Sequence, residues 1–342
     1  MKRFLAIRQD NNGDVTLAGP ALRALAAHGR VTLVCGPSGA GAAHLLPGVN
    51  NIVEMRANWI DGNPAAVDPA QIAEDVARYA ALRVDEAFVF TSFHQSPLPT
   101  ALLLRLARVP RITAISIDYP GTLLDVRVKV PDDIHEVERA LALVRAAGYA
   151  LPAHDDARLR YRDLPPRSTR LPRDYVAVQP GATVPARAWA PQKMHALVGR
   201  LRRRGWAVVV VGSASEAELV RAVVGESGAI DLAGATTYAE FAAVVRDARA
   251  LVVGNSSGIH VAAAVGTPVV TIFAPTIAPV RFAPWRVSHV LLGDHGIACA
   301  GCRARACPIP RQPCTGGIAV DDVVAALESL TTGNTVREEV VA

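Results

Sequence analysis

Short apolar runs recur along this chain, and stretches with apolar residues at helical spacing fill the gaps between them. Arg3–Ile7, Val31–Val34, Asn51–Met55, Ala87–Phe90 and Ile112–Ile115 read as strands. Leu17–Ala27, ended by Gly29, and the segments 69–82 and 98–107 read as helices. Buried apolar strands alternating with helices predict a parallel, doubly wound α/β sheet. An amphipathic helix is expected over 134–147, followed by the polar, Pro- and Arg-rich stretch Arg160–Arg173, which has the composition of a linker. The alternation then resumes with strands at 175–178, 207–211, 229–232, 250–253 and 268–273. Helices at 191–203, 215–223, 238–247 and 260–265 lie between them, and a last amphipathic helix covers 320–330. The pattern divides the chain into a first α/β domain at 1–165, a second at 170–330 and a flexible tail at 331–342. A cleft is expected between the domains, and the last helix is free to pack back on the first domain.

Three strand-to-helix turns in the second half carry the most specific chemistry. Gly254-Asn255-Ser256-Ser257-Gly258-Ile259-His260 follows the strand Ala250–Val253 and opens a small-residue helix. Gln179-Pro180-Gly181-Ala182-Thr183 follows Tyr175–Val178, and Gly212-Ser213-Ala214-Ser215 follows Val208–Val211. At such a turn, unpaired main-chain N–H groups and the helix dipole favour an anion, so a phosphate-bearing ligand is expected at the carboxyl edge of the second sheet. The candidate contacts are Gly181, Thr183, Gly212, Ser213, Asn255, Ser256, Ser257, Gly258 and His260. His260 reads equally as a core histidine. Arg187, in Arg187-Ala188-Trp189, offers a guanidinium to a diphosphate, with Trp189 shaping the pocket rim.

The first strand runs into Asn11-Asn12-Gly13-Asp14-Val15. Asp14 reads either as a helix N-cap or as a carboxylate at the sheet edge that takes a proton from an attacking hydroxyl.

Composition narrows the alternatives. Hydrophobic residues make up 51% of the 342-residue chain and charged residues 20%, as in a soluble globular protein. No apolar run reaches the roughly 18–20 residues of a membrane span, so membrane contact is at most peripheral. The apolar part of MKRFLAIRQD is too short for a signal peptide, and a cytoplasmic location is expected. The net charge is +5, and every basic residue but Lys2, Lys129 and Lys193 is arginine. No aromatic-interleaved basic stripe argues for nucleic acid. There is no G-x-x-x-x-G-K-[ST] loop, and GPSGAG at 36–41 lacks dinucleotide spacing. No Asp-x-Asp pair is present to hold a catalytic divalent ion. Cys35 ends a strand and reads as core. Cys299, Cys302, Cys307 and Cys314 leave three readings open: structural zinc, disulfides, or reduced thiols in a loop.

These motifs, in this order and spacing, resemble the heptosyltransferase-type glycosyltransferases of family 9, which have the GT-B fold. The resemblance rests on R-x-D-N-x-G-D-V at 8–15, P-A-L-R-A-L at 20–25, H-E-V-E-R-x-L at 135–141, Q-P-G-A-T at 179–183, R-x-W at 187–189, D-L-A-G at 231–234 and G-N-S-S-G-I-H at 254–260. It implies inverting, metal-independent transfer of a heptose from an ADP-activated donor to a glycan or small-molecule hydroxyl, in lipopolysaccharide synthesis. The domain at 1–165 would bind the acceptor, with Asn12 and Gly13 on the acceptor side and Asp14 as general base; Arg187 would be a donor-phosphate contact, and no cofactor would be required. Two departures stand out. Arg187 replaces a frequent lysine. Ser256 stands where the family commonly has an aspartate on the donor sugar, in a loop one residue shorter. The alternatives are a nucleotide-sugar epimerase or hydrolase of the same fold, or a non-catalytic nucleotide-sugar-binding protein.

Overall fold

A computed structural model describes residues 1–62, 64–331 and the backbone of 338–341. Contacts divide the chain into two compact units, Met1–Arg162 and Asp163–Ala342. The first contains strands β1 (Lys2–Arg8), β2 (Gly29–Cys35), β3 (Val49–Glu54), β4 (Glu86–Val89), β5 (Ile112–Ile115) and β6 (Val126–Val128). Its helices are α1 (Asn12–Leu17), α2 (Gly19–Ala26), α3 (Ala40–Ala43), α4 (Pro69–Ala81), α5 (Leu98–Leu106) and α6 (Glu136–Ala146). The second unit contains β7 (Val176–Gln179), β8 (Val208–Val210), β9 (Ile230–Asp231), β10 (Ala250–Gly254), β11 (Val269–Ile272), β12 (His289–Leu292) and β13 (Glu338–Val341). Its helices are α7 (Pro191–Arg203), α8 (Ala217–Val224), α9 (Tyr238–Asp247), α10 (Gly258–Val265), α11 (Pro279–Phe282), α12 (Pro313–Gly316) and α13 (Val320–Thr331).

Both sheets are parallel and doubly wound, as the apolar runs predict. The first has the order β3-β2-β1-β4-β5-β6 and the second β13-β12-β11-β10-β7-β8-β9. In each, the strand order reverses beside the unit's first strand, between β1 and β4 and between β7 and β10. Such a reversal opens a crevice at the carboxyl ends of the strands, where α/β sheets bind ligands. The strands are apolar because both faces are covered. Leu5, Ile7, Ala87 and Ile112 pack with Tyr79, Leu103 and Leu104 in the first unit. Val176, Val208, Val252 and Val270 pack with Met194, Leu197, Val220 and Leu327 in the second. Cys35, at the end of β2 in the first unit, is buried as expected, and burial pushes its thiol up to about 11.

Three expectations are corrected. The single helix expected over 17–27 is two, α1 and α2, because Pro20 in the first turn of α2 has no N–H to continue a helix from α1. The last helix packs its Val323, Val324 and Leu327 into the core of the second unit. Of the stretch 331–342 expected to be flexible, 338–341 form β13, paired in parallel with β12, while 332–337 and 342 lie outside the described residues. β12 itself was not anticipated. Among the described residues no helix is long and apolar enough to cross a membrane.

Candidate active site

At the reversal point of the first sheet, the end of β1 and the loop after β4 build a buried charge cluster. Arg8, with 5% of its side chain exposed, stands between two carboxylates. Its Nη2 donates to Asp14 Oδ1 at 2.9 Å and to Ser92 Oγ at 2.9 Å. Its Nε lies 2.9 Å from Asp10 Oδ2 but is not aligned for a hydrogen bond. Gln95 Nε2 donates to the other oxygen of Asp10 at 2.5 Å, and Gln95 Oε1 accepts the Ser92 N–H at 2.9 Å. Burial opposes the charge on Arg8, but Asp10, Asp14 and Glu136 outweigh it and hold the guanidinium above its ordinary value. Burial also pushes the Asp10 carboxyl up, against the pull of Arg8.

Asp14 is the more accessible carboxylate, its side chain 21% exposed against 8% for Asp10. The capping alternative for Asp14 is corrected: Asn11 is the N-cap, and Asp14 sits within the first turn of α1, where the helix dipole favours negative charge. Asn12 and Gly13 are structural neighbours of that turn. Asn12 Oδ1 accepts the Ala42 N–H at 2.8 Å, tying α1 to α3, and Gly13 is buried. Arg8, Asp10, Ser92 and Gln95 were not among the expected site residues. Arg8 and Asp10 are close to Asp14 in sequence, but Ser92 and Gln95 lie 84 and 85 residues from Arg8 and Asp10, and the adjacency of β1 and β4 brings them together.

The reversal point of the second sheet is built differently. Ser256 Oγ, after β10, donates to Gln179 Oε1, at the end of β7, at 3.4 Å. A Cβ on Gly258 would lie 2.1 Å from that same Gln179 oxygen, so the Gln179 side chain packs directly against the bare glycine. The Ser257 and Gly258 N–H groups open α10 with no hydrogen-bond partner among the described residues. Asn255 Nδ2 donates to Ala274 O at 3.5 Å, and its side chain is buried. His260 is 6% exposed with its ring 6.2 Å from that of Phe282, which places it in the packing of α10.

Glu216 changes the reading of the other two turns. Its carboxylate accepts the Ser213 N–H at 2.7 Å and the Ser213 hydroxyl at 2.8 Å. A Cβ on Gly181 would lie 1.7 Å from Glu216 Oε1, and one on Gly212 would be 2.7 Å from Val220. The carboxylate therefore fills the space beside Gly181, borders Gly212, and takes the donors expected for a phosphate at Ser213. A second anion there would meet like charge. Thr183 is exposed at the far end of its turn.

The chemistry concentrates instead around Arg187. Its Nε donates to the buried Thr276 Oγ1 at 3.3 Å, and a Cβ on Gly254 would lie 3.0 Å from Arg187 O. Arg187 is thus next to the β10 turn. Trp189, expected at a pocket rim, is a core residue: it is 2% exposed, and its N–H donates to Thr315 O at 3.2 Å. The cysteine-rich excursion grips this segment. The Ala186 N–H donates to Arg305 O at 3.0 Å, and Gln312 Nε2 donates to Ala186 O at 2.9 Å. The Gly301 and Arg303 N–H groups donate to Pro275 O and Thr276 O at 2.7 and 3.0 Å. Arg311 and Gln312 have φ of 64° and 46°, a left-handed backbone that side chains resist.

Cys299, Cys302, Cys307 and Cys314 are free thiols. Burial raises the Cys314 thiol, and its neighbours Cys307, Cys299 and Cys302 add to the shift. Among the described residues no three His, Cys, Asp or Glu side chains gather closely enough to hold a metal ion. The thiols as arranged do not fit a zinc tetrahedron, so no step is drawn through a metal.

Comparison with known proteins adds the family. Residues 94–312 match the family model described as glycosyltransferase family 9 (heptosyltransferase). A 119-residue segment is 30% identical to lipopolysaccharide heptosyltransferase 3 of Escherichia coli, spanning 33% of this chain and 34% of that relative. The chain thus covers about a third of the curated relative's length. A family 9 glycosyl transferase from Veillonella parvula superposes with a TM-score of 0.77 at 16% identity, over 96% of this chain and 97% of the other. The ADP-heptose lipopolysaccharide heptosyltransferase II of E. coli gives 0.72 at 22% identity, over 97% and 98%. At those identities the structures establish a shared GT-B α/β fold.

Proposed function

Since the chain belongs to glycosyltransferase family 9 (heptosyltransferase), we propose that it transfers a heptose, with inversion, from an ADP-activated donor to a hydroxyl of a glycan or small-molecule acceptor. The first unit binds the acceptor, and Asp14 removes the proton from its attacking hydroxyl. Arg8 holds that carboxylate in place through a 2.9 Å contact, and the buried Asp10 lies against the guanidinium from the other side. In the second unit, Arg187 and the Ser257 and Gly258 N–H groups take up the charge that grows on the leaving diphosphate. Neutral donors and one guanidinium do there what a divalent ion does in other transferases, so the reaction proceeds without metal.

The observation that carries this reading is the contrast in free hydrogen-bonding capacity around β10. The Gly212 turn is filled by Glu216, whereas the Ser257–Gly258 turn keeps its donors and has Arg187 beside it. Ser256, already donating to Gln179, gives one neutral group where a carboxylate would give two charged acceptors, so the nucleotide half of the donor dominates recognition. The five free cysteines suit a reducing compartment, and we place the enzyme in the cytoplasm.

Thermal unfolding against ADP, GDP, UDP and their sugar conjugates tests the assignment, because a ligand of the native state raises the melting temperature by mass action. ADP and ADP-heptose should stabilise the protein, and EDTA should not change the effect. Stabilisation by UDP or GDP conjugates alone would overturn the donor, and a requirement for Mg²⁺ would overturn the charge-neutralisation mechanism.

A further inference from the structure

The loop that leaves β11 meets the proposed diphosphate contact from the neighbouring strand. β10 and β11 pair in parallel with Gly254 opposite Ile272, so the segments that follow them emerge side by side at the carboxyl edge. The main chain of Arg187 lies against the first of these, where a Cβ on Gly254 would come within 3.0 Å of Arg187 O. The Arg187 side chain reaches the second, and its Nε donates to Thr276 Oγ1 at 3.3 Å. Thr276 is only 3% exposed.

Thr276 is itself held in place. Its N–H donates to Ala274 O at 2.8 Å, and the same oxygen accepts from Asn255 Nδ2 at 3.5 Å. From the cysteine-rich excursion, the Gly301 N–H donates to Pro275 O at 2.7 Å and the Arg303 N–H to Thr276 O at 3.0 Å. Gly301 and Arg303 have φ of 77° and 53°, so the turn around Cys302 makes both contacts from a left-handed backbone. Asn255 on one side and the excursion on the other thus fix the loop that carries the hydroxyl.

A guanidinium is planar, so anchoring its Nε–H fixes the plane in which its other N–H groups lie. An arginine otherwise loses much of its rotamer freedom when it takes a phosphate. An anchor at Nε moves part of that loss from binding into folding.

We propose that Thr276 is a positioning residue for the donor diphosphate: its hydroxyl sets the plane of the Arg187 guanidinium before the ligand arrives. The proposal rests on the reading that Arg187 takes the diphosphate, and it adds the residue through which that contact is aimed. Because Thr276 acts through Arg187, its effect on binding should vanish once the guanidinium is gone.

Calorimetric titration of the full chain with ADP, in a cycle of Thr276→Val, Arg187→Ala and the double variant, tests this. Thr276→Val keeps the shape and removes the acceptor, and should weaken ADP by about five- to tenfold, at most the scale of one hydrogen bond to a charged group. Thr276→Ala, which removes the hydroxyl without burying a second methyl, should match it and serves if the valine variant fails to fold. Thr276→Ser keeps the hydroxyl and should bind within about twofold of the unmodified protein. In the Arg187→Ala background, Thr276→Val should change the dissociation constant by less than about twofold. An unchanged constant in the valine and alanine variants, a serine variant as weak as those two, or an equal loss in the Arg187→Ala background would overturn the proposal and leave ADP as a ligand. Absence of ADP binding by the unmodified protein would overturn it together with the donor assignment.

Discussion

The two sheet reversals do opposite things with charge. The first buries a guanidinium between two carboxylates and joins them through Ser92 and Gln95. The second keeps its centre neutral, with a hydroxyl on an amide oxygen and N–H groups at a helix start, and sets Arg187 to the side. The difference follows from what each is proposed to do. A general base must carry a charge whose value and position are fixed before the acceptor arrives. A diphosphate brings its own charge, and a turn already holding a carboxylate, as the Gly212 turn does, is closed to it.

The sharpest way to break the comparison is to remove the central guanidinium. Arg8→Gln leaves the buried Asp10 and the partly buried Asp14 beside each other without their cation, and removing one partner of a buried pair costs about 3–5 kcal/mol. Chemical denaturation should show that loss; a variant of unchanged stability would mean that the carboxylates are less buried than described. Next in size, Asp14→Asn should lower turnover by about 10²-fold or more while donor affinity stays within a factor of about two. Near-normal turnover would remove Asp14 from the chemistry and turn attention to Asp10.

On the neutral side, Arg187→Ala should weaken ADP binding by roughly 1.5–3 kcal/mol, the scale of a charged hydrogen bond. An unchanged dissociation constant would place the phosphates elsewhere. A paired carboxylate outside both turns calibrates the electrostatics. Asp155 accepts from Arg23 Nε at 2.6 Å and Nη2 at 2.8 Å, and those hydrogen bonds lower its carboxyl to about 2. A lowered folded-state value means stability that is present above the ordinary range near 3.8 and lost as pH falls through about 2. The step should be about 2 kcal/mol and absent in Asp155→Asn, as acid denaturation of the two proteins would show. The smallest effect concerns the sugar. ADP should bind within about tenfold of ADP-heptose, or roughly 1.4 kcal/mol, and a hundredfold gap in calorimetry would restore the sugar-binding role that Ser256 is taken to have given up.

Local structure was legible wherever burial alone decides it. The helices at 191–203 and 238–247 and the strand at 112–115 fall on their apolar spacing. The turns at Gly181 and Gly258 were visible because glycine marks close approach, though not what approaches. What could not be read was the company each side chain keeps across the fold. Glu216 fills a turn 35 residues earlier in the chain, Ser92 and Gln95 reach Arg8 and Asp10 through strand pairing, and Trp189 gives its indole to the core. Each is a tertiary contact that periodicity does not carry. Pro20 shows the reverse case, a local signal passed over because the surrounding apolar spacing continued through it.

The grip of the cysteine-rich excursion on Ala186 and Thr276 has a thermodynamic meaning. The main chain at Ala186, next to Arg187, is held on both sides by Arg305 and Gln312, more than 100 positions later in the chain, and Gln312 lies in a left-handed backbone that is itself unfavourable. Folding has therefore already met the cost of ordering that segment. A phosphate arriving at Arg187 has only the side chain left to still, so the association loses less entropy than it would on a mobile loop. Loosening the excursion would register first as a more unfavourable binding entropy for ADP, with the contact itself unchanged.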